Sequence, residues 1–181
     1  MEARGLVGKD FMRGPWTLSP YTGLGFRHLS NGTTGTAGFR TDKYLYPPLG
    51  LAARTTVASH PVIFTVEYDH LIRGWQTTRN SLLGGGEIPA TPTAPAFTID
   101  GITDVSFDQH SGWSARASAR YQVMRRWSVE PYYVHWSVNA SPSNDETVTF
   151  TVNRVTAREQ LSFYEPFNTT NELGVKLAFR F

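Results

Sequence analysis

Apolar and polar residues alternate with a period of two along most of the chain, and the 3.6-residue repeat of an amphipathic helix is nearly absent. In WTLSPYTGLGFR, Leu18, Pro20, Thr22, Leu24 and Phe26 share one face, and Ser19, Tyr21, Gly23, Gly25 and Arg27 share the other. YLYPPLGLAARTTV sets Leu45, Pro47, Leu49, Leu51, Ala53 and Val57 against Tyr44, Tyr46, Gly50 and Arg54. PVIFTVEYDHLIR sets Val62, Phe64, Val66, Tyr68 and Ile72 against Thr65, Glu67, Asp69 and Arg73. GWSARASARYQV is the most regular, with Trp113, Ala115, Ala117, Ala119, Tyr121 and Val123 opposite Ser114, Arg116, Ser118, Arg120 and Gln122. RWSVEPYYVHW places Trp127, Val129, Pro131 and Tyr133 opposite Ser128, Glu130 and Tyr132. The chain finishes on NELGVKLAFRF, where Leu173, Val175, Leu177, Phe179 and Phe181 oppose Glu172, Gly174, Lys176, Ala178 and Arg180. A weaker strand is expected over residues 3–12.

The connections alternate in kind. RGPW, ASHP and MRRW are tight turns, whereas residues 30–38, about 77–110 and about 139–170 form long polar stretches. Parts of the long stretches also alternate, as in TVTFTVNRV, so strands are expected to continue into them. LLGGGEIPATPTAPA, rich in Gly, Pro and Thr, reads as a loop, and its GGG lacks the strand–loop–helix setting of a phosphate-binding loop. No internal repeat or domain boundary interrupts the pattern, so residues 1–181 read as one domain.

The two faces differ in a way a soluble sandwich does not. A solvated sheet face is rich in Lys and Glu. Here the polar face carries Gly, Ser, Ala and Tyr with isolated charges of both signs, which suits a confined interior. The apolar face carries bulky chains and tends to end in Trp or Tyr near the tight turns, namely Trp16, Trp113, Tyr121, Trp127 and Tyr133. Such aromatics suit the girdle at a bilayer interface. The fold expected is an all-β, antiparallel, up-and-down transmembrane β-barrel with short turns at one end and long loops at the other. Pro20, Pro47, Pro48 and Pro131 run against this, since each removes a ladder donor.

Composition adjusts the picture little. Aromatics make up 13% of residues and Gly and Pro are frequent, which favours turns and strands. A formal net charge of +2 without runs of like charge gives no footing for a nucleic-acid partner. The absence of Cys excludes disulfides and thiolate sites. Mean hydropathy is −0.32, a value that membrane barrels share with soluble proteins because their two faces average out. No apolar h-region opens the chain.

A final strand ending on an aromatic, with Val175, Leu177, Phe179 and Phe181 at every second position, resembles the C-terminal signature of bacterial outer-membrane proteins. SPYTGLGFRHLSN, YLYPPLGL and EPFNTTNELGVKLAFRF resemble small proteobacterial outer-membrane barrels, and the architecture is similar to the transmembrane domain of outer-membrane protein A. The resemblance implies a place in the bacterial outer membrane, contact with its lipid and lipopolysaccharide, and insertion by the barrel assembly machinery, which reads that signature. About seven membrane strands are countable, whereas bacterial single-chain barrels have even counts from eight. The expectation is that a native first strand and signal peptide precede residue 1. A segment within residues 77–110, such as 97–107, is the alternative source of a strand.

Inward-facing charges form the main candidate site: Arg54, Glu67, Asp69, Arg73, Arg116, Arg120, Glu130 and Lys176. An eight-stranded barrel is just wide enough for side chains to fill, so these charges are expected to pair into a plug, or else to line a narrow polar pore. His28, Asp69–His70, His110 and His135 raise a second reading, an outer-membrane lipid- or peptide-hydrolysing enzyme, in which a His, a Ser and a carboxylate converge at the outer rim. Successive strand residues face opposite ways, so Asp69 and His70 cannot pair directly. The His spacing matches no metal motif, and nothing in the chain calls for a cofactor. A third reading is a soluble lipocalin-like binder, with apolar residues inside and polar ones outside. NAS at 139–141 and NTT at 168–170 match glycosylation sequons, which carry little weight in a bacterial protein. The primary expectation is structural: a membrane anchor presenting long loops, with weak pore activity at most.

Overall fold

The computed structural model describes residues 1–32 and 39–180. The chain runs as β1 (Glu2–Gly8), β2 (Phe11–Arg13), β3 (Trp16–Asn31), β4 (Phe39–Tyr46), β5 (Pro48–Val57), β6 (His60–His70), β7 (Arg73–Arg79), a short 3₁₀ turn (Asn80–Leu83), β8 (Glu87–Ile88), β9 (Phe97–Gly101), β10 (Val105–Gln109), β11 (Gly112–Met124), β12 (Trp127–Val138), β13 (Asn144–Val152), β14 (Val155–Phe163) and β15 (Asn168–Phe179). They form one eleven-stranded and one four-stranded sheet. Every pairing is antiparallel.

Several strands join end to end, so the large sheet is a meander of seven plies. β1 and β2 both pair with β3; β4 and β5 share its other side; β7 and β6 follow, then β10 and β11, then β12, then β15. The turns joining plies at one end are the tight ones read from sequence. Ala58 and Ser59 both hold positive φ (48° and 67°), the hairpin geometry whose twist matches that of its strands. Gly14, at φ 57°, serves the first turn, where a glycine adopts this conformation without strain.

The sheet is rolled. Three plies separate Arg4 from Glu67, a span of roughly 14 Å in a flat sheet. Yet the two form an ion pair, and Glu2 on the first ply reaches Arg116 on the fifth at 2.6 Å. Arg27 on the second ply meets Glu172 on the seventh at 3.9 Å. The expectation of a closed barrel is met only to this extent: the fold is all-β and antiparallel, but neither sheet closes. β1 pairs only with β3, and β15 only with β12, so each keeps an open edge.

Burial is inverted relative to a soluble domain. On the convex face Leu24, Leu49, Phe64 and Val66 are exposed, as are Leu173 (84%) and Leu177 (69%). On the concave face Asp69 and Ser114 are fully buried, and Glu67 is 7% exposed. The buried apolar cluster sits on the concave side towards the long-loop end: Tyr44, Tyr46, Leu71, Val134, Trp136 and Val138.

Residues 77–110 divide three ways. Phe97–Gly101 and Glu87–Ile88 join β13 and β14 in the four-stranded sheet, while Val105–Gln109 extends the fifth ply. Pairing between β1 and β2 lapses at Lys9–Asp10, opposite Ser19–Pro20, and Pro47 falls at the junction of β4 and β5, so two of the awkward prolines sit where the ladder is already interrupted.

Candidate functional site

The concave face holds a layered set of charges. At its centre, Arg116 Nη2 donates to Glu2 Oε1 at 2.6 Å and Nε to Asp69 Oδ2 at 2.8 Å, with Glu67 Oε1 3.3 Å away. Its guanidinium also lies over the rings of Tyr46 (5.8 Å) and Trp136 (5.6 Å). Glu67 is shared further: Arg4 pairs with Oε2, and the Tyr21 hydroxyl donates to it at 2.7 Å. The Tyr46 hydroxyl donates to Glu2. Carboxylates this buried persist only when paired and hydrogen-bonded.

The registers explain the convergence. β6 and β11 pair Asp69 with Ser114 and Glu67 with Arg116, and period-two alternation turns all four to the concave side. Tyrosines are seated by glycines on neighbouring plies. A Cβ on Gly50 would lie 2.1 Å from Tyr21 Cζ, and one on Gly25 would lie 2.3 Å from Tyr46 Cζ. Each ring therefore crosses the groove left by a missing side chain and points its hydroxyl at the charges.

Towards the long-loop end the charges give way to the apolar cluster. Trp136 stacks on Tyr44 (5.9 Å) and meets Tyr46 edge-on (5.3 Å), with Arg27 over its ring at 5.1 Å. Towards the tight-turn end a cavity of about 440 Å³ opens among Leu6, Tyr21, Arg54, Ile63, Arg120 and Glu130. Arg54 there binds Asp10 at 3.1 Å and the Ser19 hydroxyl at 2.8 Å, and Arg120 donates to Glu130 at 2.6 Å. Lys176 stands 3.9 Å from Glu130 and 4.5 Å from the centre of the Tyr132 ring.

Seven of the eight charges read from sequence thus lie on this face, with Glu67, Asp69 and Arg116 in direct contact. Arg73 does not join them. It pairs with Asp108 at 3.0 Å, both half exposed, and covers Trp75. An extra residue in the fourth ply between His70 and Arg73 reverses the alternation beyond Leu71, which keeps the phase of Asp69, so Gly74 and Gln76 are buried while Arg73 faces outward. Glu2, Arg4, Arg27 and Glu172 complete the network and were not singled out in the sequence. EARG does alternate Glu2 and Arg4 on one face, but nothing local shows which charges meet across the roll.

The convex aromatics fall in two groups. Trp16, Tyr121 and Trp127 lie near the tight turns, the first 6.4 Å from Phe64 and the last 5.0 Å from Phe179. Trp113 and Tyr133, expected near the tight turns as well, lie towards the other end, because β11 reaches its tight turn only at Met124 and β12 leaves it at Trp127. Trp113 stacks on Tyr68 at 6.4 Å and lies 5.0 Å from His135, while Tyr133 and His135 both contact Asn171 Oδ1, at 2.7 and 2.8 Å. Val175, Leu177 and Phe179 line the convex side of β15, and Phe181 lies outside the described residues.

Among the described residues, the side-chain contacts of Asp69, His135 and His60 fall on other groups than a His–Ser–carboxylate set. Asp69 faces Arg116, His135 faces Asn171, and His60 contacts the Gln122 carbonyl at 3.0 Å. Among the described residues no group of three or more His, Asp or Glu side chains could hold a metal ion. At the long-loop end, Arg40 pairs with Asp42 at 3.1 Å and with Glu165, whose carboxyl is pushed above its ordinary range by burial. The Ser141 N–H donates to the Glu165 carbonyl at 2.9 Å and the Glu165 N–H to Ser141 Oγ at 2.8 Å, joining the two ends of the last long loop. A scan of the chain against protein-family models finds no match, and a search among curated proteins finds no relative.

Proposed function

We propose that this chain is an integral outer-membrane protein whose seven plies make up most of a transmembrane β-barrel wall, with a plugged interior and a long-loop end that faces outward. The observation that carries the reading is the inverted burial: Leu49, Phe64, Val66, Leu173 and Leu177 exposed on the convex face, and Glu67, Asp69 and Arg116 enclosed on the concave one. Lipid is the solvent that makes such a surface favourable, since exposed apolar patches of this extent are costly in water. The strand lengths suit a bilayer. β6, β11, β12 and β15 have 11, 13, 12 and 12 residues, and a tilted transmembrane strand needs about 9–11. The two groups of convex aromatics fit the interfacial girdles.

The interior reads as a structural plug. Arg116 and its carboxylates, capped by Tyr44, Tyr46, Leu71 and Trp136, fill the middle of the concave face, which supports weak or absent conductance. The role is to anchor and present the long-loop end, where β8, β9, β13 and β14 form their own sheet. Lipid and lipopolysaccharide are the immediate surroundings, and the Val175, Leu177 and Phe179 side of β15 is what the assembly machinery would read. A soluble ligand-binding barrel has the opposite facing, and among the described residues His60 and His135 contact the Gln122 carbonyl and Asn171, not a carboxylate.

Cell fractionation tests the reading. The protein is expected in the outer-membrane fraction, to need detergent for extraction, and to migrate faster on gels before boiling than after. A monodisperse protein in detergent-free buffer overturns it.

A further inference from the structure

Charge is not balanced evenly along the concave face. In its middle, Arg4 and Arg116 face Glu2, Glu67 and Asp69, so carboxylates outnumber cations. At the tight-turn end the order reverses. The registers set Arg54 opposite Ile63 and Ile63 opposite Arg120; Arg120 bonds Glu130, which pairs across to Lys176. These residues make one row over the third to seventh plies, with three cations and one carboxylate. One step nearer the turns, Gln122, Ser128 and Ala178 make an uncharged row. Beyond it stand Arg126 and Arg180, held side by side because the Arg180 N–H donates to the Arg126 carbonyl at 2.8 Å.

Two cavities open next to each other on this rim. The cavity of about 440 Å³ takes in Asp10, Arg54, Arg120 and Glu130. A second, of about 260 Å³, is lined by Arg120, Gln122, Arg126, Ser128 and Arg180, and shares Ile63 and Arg120 with the first. Both carboxylates are already engaged: Asp10 by Arg54 at 3.1 Å, and Glu130 by Arg120 at 2.5 Å and Lys176 at 3.9 Å. Arg126 and Arg180 form no ion pair among the described residues. Four guanidiniums thus border the paired cavities against two carboxylates. Like charges converging on one hollow repel, and an anion between them relieves the repulsion. Guanidinium forks match the oxygens of phosphate in a way that ammonium groups do not. A phosphomonoester carries a charge of about −1.5 to −2 and three acceptor oxygens, which meets a surplus of this size.

We propose that the tight-turn end of the concave face binds a phosphoryl group, gripped by the forks of Arg126 and Arg180 with Arg120 as the third cation and the Ser128 hydroxyl as a neutral partner. The same chemistry is offered by a free phosphate ester and by the headgroup of an anionic lipid. The site uses only the concave rim, so it goes beyond the membrane reading and does not depend on it.

Calorimetric titration of the whole chain in maltoside micelles with glycerol 3-phosphate tests the site, with succinate as a dianion whose two charges are set apart. The phosphate ester is expected to bind roughly tenfold or more tighter than succinate. Arg126→Ala combined with Arg180→Ala should weaken it by roughly tenfold or more. Arg126→Lys combined with Arg180→Lys keeps the charge and removes the forks, and should weaken it by roughly threefold or more with the fold unchanged by circular dichroism. Arg13→Ala combined with Arg125→Ala lies as near the turns but outside both cavities, and should change affinity by less than about twofold. A lipid arm repeats the titration with short-chain phosphatidic acid in the micelles. Tighter binding than glycerol 3-phosphate identifies the headgroup as the source and equal binding the free ester, and both support the site. No binding of either phosphate, succinate binding as tightly, or equal losses in the Arg13/Arg125 and Arg126/Arg180 variants overturns it. Failure of the membrane reading has a separate signature, a chain soluble without detergent that still binds the ester.

Discussion

Removing Arg116 tests whether the concave face is a dry, mutually compensated interior. The guanidinium is 16% exposed and serves Glu2, Asp69 and Glu67, the last two of which have almost no contact with solvent. Arg116→Ala leaves Asp69 without a cationic partner and Glu67 with Arg4 alone. Breaking a buried pair by deleting one partner costs about 3–5 kcal/mol, because the stranded charge stays desolvated. The loss of contact with Tyr46 and Trp136 adds roughly 0.5–2 kcal/mol. Urea unfolding of the protein in lipid vesicles or micelles, followed by Trp fluorescence, should show a loss of about 3–6 kcal/mol with little change in slope. Arg116→Met combined with Glu67→Gln and Asp69→Asn should recover much of it, since neutral groups of similar volume carry no ionic desolvation penalty. A loss below about 1 kcal/mol for Arg116→Ala, the scale of a solvated surface pair, would refute the buried network.

Four further outcomes follow from particular contacts. Gly50→Val displaces the Tyr21 ring and with it the bond to Glu67, and is expected to cost about 1–3 kcal/mol in the same unfolding assay. Trp136→Ala empties the apolar cap and should cost about 3–5 kcal/mol while raising single-channel conductance in planar bilayers above the native background. Phe64→Arg on the convex face should cost about 2–4 kcal/mol in vesicles if lipid covers it, against less than about 0.5 kcal/mol for a water-exposed surface site. Asp104 accepts from the hydroxyl and backbone N–H of Ser81, which holds its carboxyl below the ordinary range; its contribution is present above the ordinary carboxylate pKa and lost as pH falls through the depressed one. Ser81→Ala should therefore flatten the acid limb of local exchange around Asn80–Leu83.

The period-two pattern carried most of the wall. Strand positions, the tight turns and the facing of Glu67, Asp69, Arg116, Arg120, Glu130 and Lys176 follow from it directly, because successive side chains must point opposite ways. What it could not carry is parity across an irregularity. One added residue between His70 and Arg73 turned Arg73 outward and Gly74 and Gln76 inward, and no side chain there announces it. Nor does alternation say which plies meet across a roll. That Glu2 reaches Arg116 depends on curvature summed over five plies, a property of no single segment. The small second sheet was foreshadowed by TVTFTVNRV, but its pairing with Phe97–Gly101 joins residues too distant for any local pattern to link.

The most direct measurement is the solvent of the convex face. Val66→Cys, in a chain with no other thiol, is placed in native membranes and treated with a water-soluble maleimide, with Val155→Cys on the edge of the small sheet as the reactive control. The account predicts that Val66→Cys stays unlabelled while a spin label at the same position collides freely with oxygen and hardly with a polar nickel chelate. Rapid labelling at Val66, matching that at Val155, would contradict it.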